Sequence, residues 1–349
     1  MSDTEVPQEQ PRQQPRSAER KAVPKPAFRV EEPARWRPLL AWAGVVGWGS
    51  WAVLRLAGGD RIPGVGAAAA PLLAVTPFVV AASPIPVLVA LLTRRWWATA
   101  TAAAIALALV ASVAPRAVGG GQPAAHGPAL RVMSVNLFVG EADADALVDL
   151  VRRARPDVLS VQELSPGAAG RYERAGLSRL LPHAVLDARW GASGSGLYSR
   201  LPLRELPPPG PTQMATPRAA LTLPGGRAVE VTAVHPVPPI TSRAYMAWKH
   251  DIELLPSAPG GSEPVRILAG DFNATLDHAT LRKLIGRGYA DAADRAGAGL
   301  IPTWGLGGPQ PPLTLDHVLL DRRCAVTGFT VHDVRGSDHR AVVAEIRLP

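Results

Sequence analysis

Three apolar stretches in the first third of the chain separate a membrane-like part from a polar head. Residues 38–57 carry Trp42, Trp48 and Trp51 and no charge before Arg55, which can snorkel at the end of a span. Residues 66–92 are uncharged but hold Pro71, Pro77, Pro84 and Pro86, so any helix there is kinked. Residues 97–115 are rich in Ala, Leu and Val and start at the aromatic pair Trp96-Trp97, a natural interfacial anchor. A span needs about 20 apolar residues. Three such runs with nothing amphipathic between them predict three transmembrane helices, at 38–57, 66–92 and 97–115, in contact with the lipid bilayer. Residues 1–37 are polar and aperiodic and read as a disordered tail. With so long a polar lead, and with further spans following, a cleavable signal peptide fits poorly.

Loop charges predict the orientation. The tail carries eight Lys and Arg, and Arg94 and Arg95 lie between the second and third stretches. The other side offers only Arg61 and Arg116. The positive-inside rule then places the N-terminus in the cytoplasm and, with three spans, the head outside a multi-pass cell-membrane protein. A second stretch split into two spans would turn the head inward.

The formal charge of +8 lies mostly in this anchor: residues 128–349 hold 24 Lys and Arg against 22 Asp and Glu. Charge alone therefore predicts no basic groove for duplex nucleic acid. Cys324 is the single cysteine, which excludes an intrachain disulfide and a thiolate zinc site. Any metal must use oxygen or imidazole ligands. Residues 116–128 read as a linker, and 129–349 as one domain long enough for a substantial core.

Within that head, hydrophobic patterning predicts strands at 130–138, 157–163, 195–200, 217–223, 228–235, 265–271, 314–320, 324–332 and 340–347. Helices are expected at 143–154, 242–255 and near 279–286. Strands dominate with helices between some of them, so an α/β (α+β) sandwich of two sheets flanked by helices fits better than a doubly wound sheet. Asn136, Glu163, His235 and Asp271 fall at strand ends, where side chains from several strands can converge. Polar residues after apolar runs are also simply how strands stop, so the signal is the set. Carboxylates bind a hard cation, and imidazoles and amides meet developing negative charge. The combination points to metal-assisted phosphoryl chemistry.

The ordered motifs carry a resemblance. They are Val135-Asn136, Pro156-Asp157-Val158 through Gln162-Glu163, Leu197-Tyr198-Ser199-Arg200, Val234-His235 and Gly270-Asp271-Phe272-Asn273. Thr303-Trp304, Leu315-Asp316-His317 and Ser337-Asp338-His339 complete the series. In this order they resemble the endonuclease/exonuclease/phosphatase superfamily, the Mg-dependent group with DNase I-like folds, over residues 129–349. The resemblance implies a four-layer sandwich of two mainly antiparallel β-sheets flanked by helices. It implies Mg²⁺, with Mn²⁺ as a substitute, held chiefly by Glu163 with Asn136, while Asp338 completes the metal or phosphate network. His339 would contact the scissile phosphate or act as general acid/base, oriented by Asp316. Asp271 would orient or deprotonate the attacking water, Asn273 would donate to a phosphate oxygen, and His235 would stabilise charge on phosphorus.

The expected activity is phosphate-ester hydrolysis by in-line water attack, as a phosphodiesterase, nuclease or phosphatase. Nucleic acid, phospholipid and inositol phosphate all stay open as substrates, and no protein partner is expected. The alternative is a membrane-tethered binding module that keeps the fold without catalysis. The intact Glu163, Asp271, Asn273, Asp316 and His339 argue against it. A transporter is set aside, because no stretch carries an ionisable residue at mid-membrane.

Overall fold

The computed structural model describes residues 1–2, 36–258, 260–261 and 264–349. The polar tail expected over 1–37 lies, apart from its ends, outside the described residues. The membrane-like part consists of α1 (Trp36–Leu56), α2 (Gly66–Ala74), α3 (Thr76–Ala81), α4 (Pro84–Leu92) and α5 (Trp96–Val113). Two helices are long and apolar enough to cross a membrane: α1, and α5 with the turn that prolongs it to Ala117. The single span expected over 66–92 is instead broken into three helices, with a 61° bend between Gly66–Ala74 and Thr76–Leu92. Pro77 and Pro84 sit in the first turns of α3 and α4. Proline is tolerated there because its missing N–H has no helical partner to lose, but it cannot carry a helix through. By length and composition, two helices among the described residues therefore qualify as spans, or three if the bent pair is taken as one. Ala41, Ala90, Ala98 and Ala102 are buried where α1, α4 and α5 meet. Such small side chains let backbones approach closely. At Gly44 an added Cβ would lie 2.9 Å from Pro86.

The head runs β1 (Ala129–Asn136), α6 (Ala144–Ala154), β2 (Val158–Gln162), α7 (Pro166–Ala175), α8 (Leu177–Leu180), β3 (His183–Asp187) and β4 (Ser195–Ser199). It continues β5 (Arg204–Leu206), β6 (Arg218–Thr222), β7 (Ala228–Val234), α9 (Ser242–Leu254), β8 (Val265–Asp271) and α10 (Ala279–Ile285). Last come β9 (Tyr289–Asp291), α11 (Ala292–Arg295), β10 (Asp316–Asp321), β11 (Ala325–Asp333) and β12 (Arg340–Arg347). Two six-stranded sheets form, ordered β11-β12-β1-β2-β4-β3 and β5-β6-β7-β8-β10-β9. Each is antiparallel except for one central parallel pair, β1 with β2 and β7 with β8.

The alternation of apolar residues explains the layering. Val132, Val158, Leu197, Val231, Ile267 and Val318 point between the sheets and make the central core. The opposite faces are covered separately. Leu147, Val151 and Tyr172 of α6 and α7 pack on the first sheet, and Trp248, Ile252 and Leu281 of α9 and α10 on the second. The result is the four-layer sandwich. A buried polar chain pins the sheets together beneath the strand ends: Ser134 Oγ donates to Gln162 Oε1, Gln162 Nε2 donates to Ser160 Oγ, and Ser160 Oγ donates across to Ala269 O at 2.8 Å.

The helical part is seated on the head by buried polar contacts. Arg55, expected to snorkel, turns inward, and its Nε lies 2.5 Å from Asp277 Oδ1. Arg116 grips the same carboxylate with both terminal nitrogens, at 2.7 and 2.8 Å. The residues expected to form a linker from 116 therefore begin docked in the head, because a buried Asp277 requires its counter-charges. Burial alone would raise the Asp277 pKa, but Arg116 and Arg55 outweigh it and hold the carboxyl below its ordinary value. Asp60, before α2, accepts the N–H groups of Ala279 and Thr280 at 2.8 Å each and caps α10 from the other part of the chain. Tyr245 donates its hydroxyl to Asp60 O, and His278 Nε2 meets Ala70 O at 2.8 Å.

Candidate active site

The topology brings the chemistry to one edge. The two parallel pairs end together, so Asn136 at the end of β1, Glu163 just after β2, His235 just after β7 and Asp271 at the end of β8 meet at their carboxyl ends. Antiparallel neighbours start at that same edge. Asp316 opens β10 directly opposite Asp271, and His339 precedes β12.

Asn136 stands at the centre. Its Nδ2 donates to Glu163 Oε1 at 3.0 Å and to Asp271 Oδ2 at 3.2 Å, while its Oδ1 accepts the Phe138 N–H. The amide thus sets the carboxylates as much as it offers an oxygen. Glu163 Oε2 accepts the Val139 N–H at 2.5 Å. Glu163, Phe138, Val139 and Asn273 all adopt left-handed backbone, with φ between 47° and 59°. For a valine that conformation is costly, and its clustering at one pocket marks a functional site.

His339 Nδ1 donates to Asp316 Oδ2 at 2.9 Å, and its Nε2 lies 3.7 Å from Asp271 Oδ2. Burial opposes a charge on this imidazole, but Asp316 and Asp271 override it and push its pKa up to about 10. His235 goes the other way. Its Nε2 lies 3.7 Å from Glu163 and 3.8 Å from Asp271, yet full burial outweighs the attraction of Asp271 and lowers its pKa. The Asp271 carboxyl is raised by burial, with Asp316 adding to the effect and His339 opposing it. One histidine is held charged and the other neutral, beside a carboxylate with enhanced basicity.

The remaining expected residues are present in the same pocket. Asp271 Oδ1 accepts the Asn273 N–H, and Asn273 Nδ2 donates to Pro236 O at 3.0 Å, which leaves one amide hydrogen for a ligand. Asp338 Oδ2 accepts from Trp304 Nε1 at 3.0 Å, while its Oδ1 is buried without a partner. Three supporting roles had no assignment from sequence. Ser337 Oγ donates to Asn136 O and accepts the His339 N–H. Thr303 Oγ1 accepts the N–H groups of Leu315 and Asp316, and Trp304 stacks obliquely near His339. All three lie within the ordered motifs, so position in a motif was the available signal. Val139 had none, because its part is played by a backbone N–H.

The donor set fits a hard divalent cation. Asp271, Asp316 and His339 offer ligand atoms within 4.8 Å of one another, a buried group able to hold a metal. Hard cations prefer oxygens and keep several waters. His339 Nδ1 is already engaged by Asp316, and Glu163 adjoins this group through the Asn136 amide, which donates to both Glu163 Oε1 and Asp271 Oδ2. Glu163, His235, Asp271, Asn273, Asp338 and His339 line a pocket of about 560 Å³, while Asn136 and Asp316 are buried and reach it through their hydrogen bonds to Glu163 and His339.

Two mixed sheets, flanked by helices and carrying a carboxylate–imidazole cluster at their common edge, define a DNase I-like fold. The sequence model of the Endonuclease/Exonuclease/phosphatase family matches residues 133–339, and the chain belongs to that family. Family and fold together indicate a phosphoric ester hydrolase of the phosphodiesterase, nuclease or phosphatase type. Among solved structures, an endonuclease/exonuclease/phosphatase from Beutenbergia cavernae DSM 12333 is 19% identical, with 63% of this chain and 72% of that one covered at a TM-score of 0.51. A D. rerio TDP2 humanized by 14 mutations is 18% identical over 63% of this chain and 99% of its own, at a TM-score of 0.49. An AP endonuclease from Archaeoglobus fulgidus is 12% identical over 62% and 98%, at 0.48. No curated protein matches the sequence significantly.

Proposed function

We propose that this protein is a membrane-anchored, Mg²⁺-dependent hydrolase of phosphate esters that acts by in-line water attack. The observation that carries the reading is the His339–Asp316 pair facing Asp271 and Glu163 across one pocket. Glu163, with Asn136 and Asp338, would hold Mg²⁺, or Mn²⁺ in its place, which would supply Lewis-acid neutralisation of phosphoryl charge. The chain's own residues do the rest. Asp271 orients water and takes its proton as the oxygen bonds to phosphorus. His339, kept charged and oriented by Asp316, faces the phosphate and the departing oxygen. Neutral His235 and the free amide hydrogen of Asn273 donate to phosphoryl oxygens. Water adds to phosphorus and gives its proton to Asp271, the ester P–O bond breaks, the alcohol leaves with a proton from His339, and no covalent enzyme intermediate forms.

Membrane insertion through residues 38–115 is part of the same reading. Arg55 at the end of α1 and Arg116 after α5 meet one carboxylate of the head. If α1 and α5 both cross and both finish at the head, the segment between them must return across the membrane an odd number of times. That supports counting the bent pair as a third crossing. With the tail's positive charge, it favours a cytoplasmic N-terminus and an extracellular head.

The test uses the full chain in nanodiscs, stripped with EDTA and titrated with Mg²⁺, with bis-p-nitrophenyl phosphate as substrate. Turnover should require Mg²⁺ and fall by about 1,000-fold in Glu163→Gln and in His339→Ala. A folded protein that binds no Mg²⁺ and turns over no ester would be the inert binding module instead.

A further inference from the structure

One wall of the catalytic pocket comes from the helical part of the chain. Ala70, Pro71 and Ala74 of α2 line the same cavity as Glu163, Asp271 and His339. Among the described residues that line it there is no Lys or Arg. Its rim is apolar: Phe138, Val139 and Ile240 are 45%, 42% and 73% exposed. At Ala74 and Leu313 the pocket adjoins a second groove of about 280 Å³. That groove passes Leu300 and Pro312 of the head and reaches Pro77, Phe78 and Ala81 of α3. Its single cation, Arg116, is already committed to Asp277. An apolar path thus leads from the catalytic cluster to the helices read as membrane-spanning.

We infer that the substrate is a bilayer-resident phosphate ester with a hydrocarbon tail, its phosphate at Glu163 and His339 and its tail along Ala74 and Leu313 toward Phe78. This rests on the phosphate-ester reading above and names its substrate class. Two features decide against a nucleic acid. Polyanion binding needs several Lys and Arg on the backbone track, and stacked bases need exposed aromatic faces. The lining here offers no free cation, and its aromatic contribution is Phe138 and Trp304, the latter already tied to Asp338. A tail laid against aliphatic side chains is favoured in proportion to the apolar area it removes from water. The position of α2 also explains why the two parts are joined by buried ion pairs rather than by a loose tether: the wall must keep its register with the catalytic edge.

The experiment compares methyl, octyl and hexadecyl p-nitrophenyl phosphate, in which only the tail changes, on the full chain in nanodiscs. From methyl to octyl, kcat/KM should rise by about 100-fold, a fraction of what full burial of the added methylenes allows. Ala74→Trp and, independently, Leu313→Trp narrow the path and should cut the octyl-to-methyl ratio by about tenfold or more. The ratio is read within each variant, so partial loss of folded protein cancels. Turnover that ignores tail length, or ratios unmoved in both variants, would overturn the tail assignment while leaving the ester hydrolase intact. A single-stranded oligonucleotide cleaved faster than the octyl ester would overturn it in favour of a nuclease. No turnover of even the methyl ester would sink both readings.

Discussion

Asp316 stands directly opposite Asp271 in the antiparallel ladder of β10 on β8. Like charges at such a position repel, and here both carboxylates are buried. His339 resolves the conflict, with Nδ1 on Asp316 and Nε2 toward Asp271. The three groups form one electrostatic unit, and altering any of them moves the other two.

The first prediction follows from that unit. In metal-free protein the His339 imidazole should titrate near pH 10 by NMR. A raised histidine pKa stabilises the fold fully below the unfolded value of about 6.5 and loses that contribution as pH rises through the folded value. Asp316→Asn should bring the titration down toward neutrality and lower kcat by about 100-fold or more. A His339 titration unchanged in this variant would separate the two residues functionally.

Asn136 should support the metal site both as a ligand and by holding Glu163 and Asp271 in place. Asn136→Ala should weaken Mg²⁺ affinity by about 10- to 100-fold, the range for lost support of a metal ligand. Glu163→Gln should weaken it further. Calorimetric titration of the two variants side by side checks the order.

Val139 offers its backbone, so its substitutions should divide sharply. Val139→Gly relieves a left-handed backbone and should leave stability unchanged or raised by about 1 kcal/mol. Val139→Pro removes the N–H that Glu163 accepts and cannot adopt φ 53°, and should abolish turnover. Thermal unfolding and turnover of both variants provide the comparison.

The Arg55–Asp277–Arg116 contact should respond to acid and to mutation. The Asp277 pKa is depressed, so its contribution is present above the unfolded carboxylate value of about 3.9 and is lost as pH falls through the lower folded one. Protection from hydrogen exchange at the start of α10, taken relative to the unfolded chain, should therefore hold at pH 5 and fall only in stronger acid. Asp277→Ala leaves two buried guanidiniums without their anion and should cost about 3–5 kcal/mol.

Cys324 should be chemically silent in the folded protein. It is fully buried, and burial with Asp321 nearby pushes its thiol up to about 12. Iodoacetamide at pH 8 should label it only after denaturation.

Local pattern carried most of the head. Alternating apolar residues mark β1, β2, β7 and β8, and the side chains of Asn136, Glu163, His235 and Asp271 follow directly from where those runs stop. The short β3, β5 and β9 escaped: β5 and β9 span only three residues, and β3 has no fully buried residue, so none carries an apolar run that sets it apart from loop. The prolines of 66–92 announced a kink, but whether it bends a helix or breaks it depends on what packs beside it.

By itself, the sequence determined the division into apolar and polar parts, the α/β sandwich and the identity of the chemical residues, since each is written in neighbouring positions. Tertiary structure alone decided which way those residues face. It turned the Asn136 amide onto two carboxylates, paired His339 with Asp316 and made one histidine charged and the other neutral. It also joined Arg55 to Asp277 across 222 positions and set α2 as a wall of the pocket. The physical reason is range. Periodicity and strand ends act over a few residues, whereas burial and Coulomb coupling depend on groups that only the folded chain brings together.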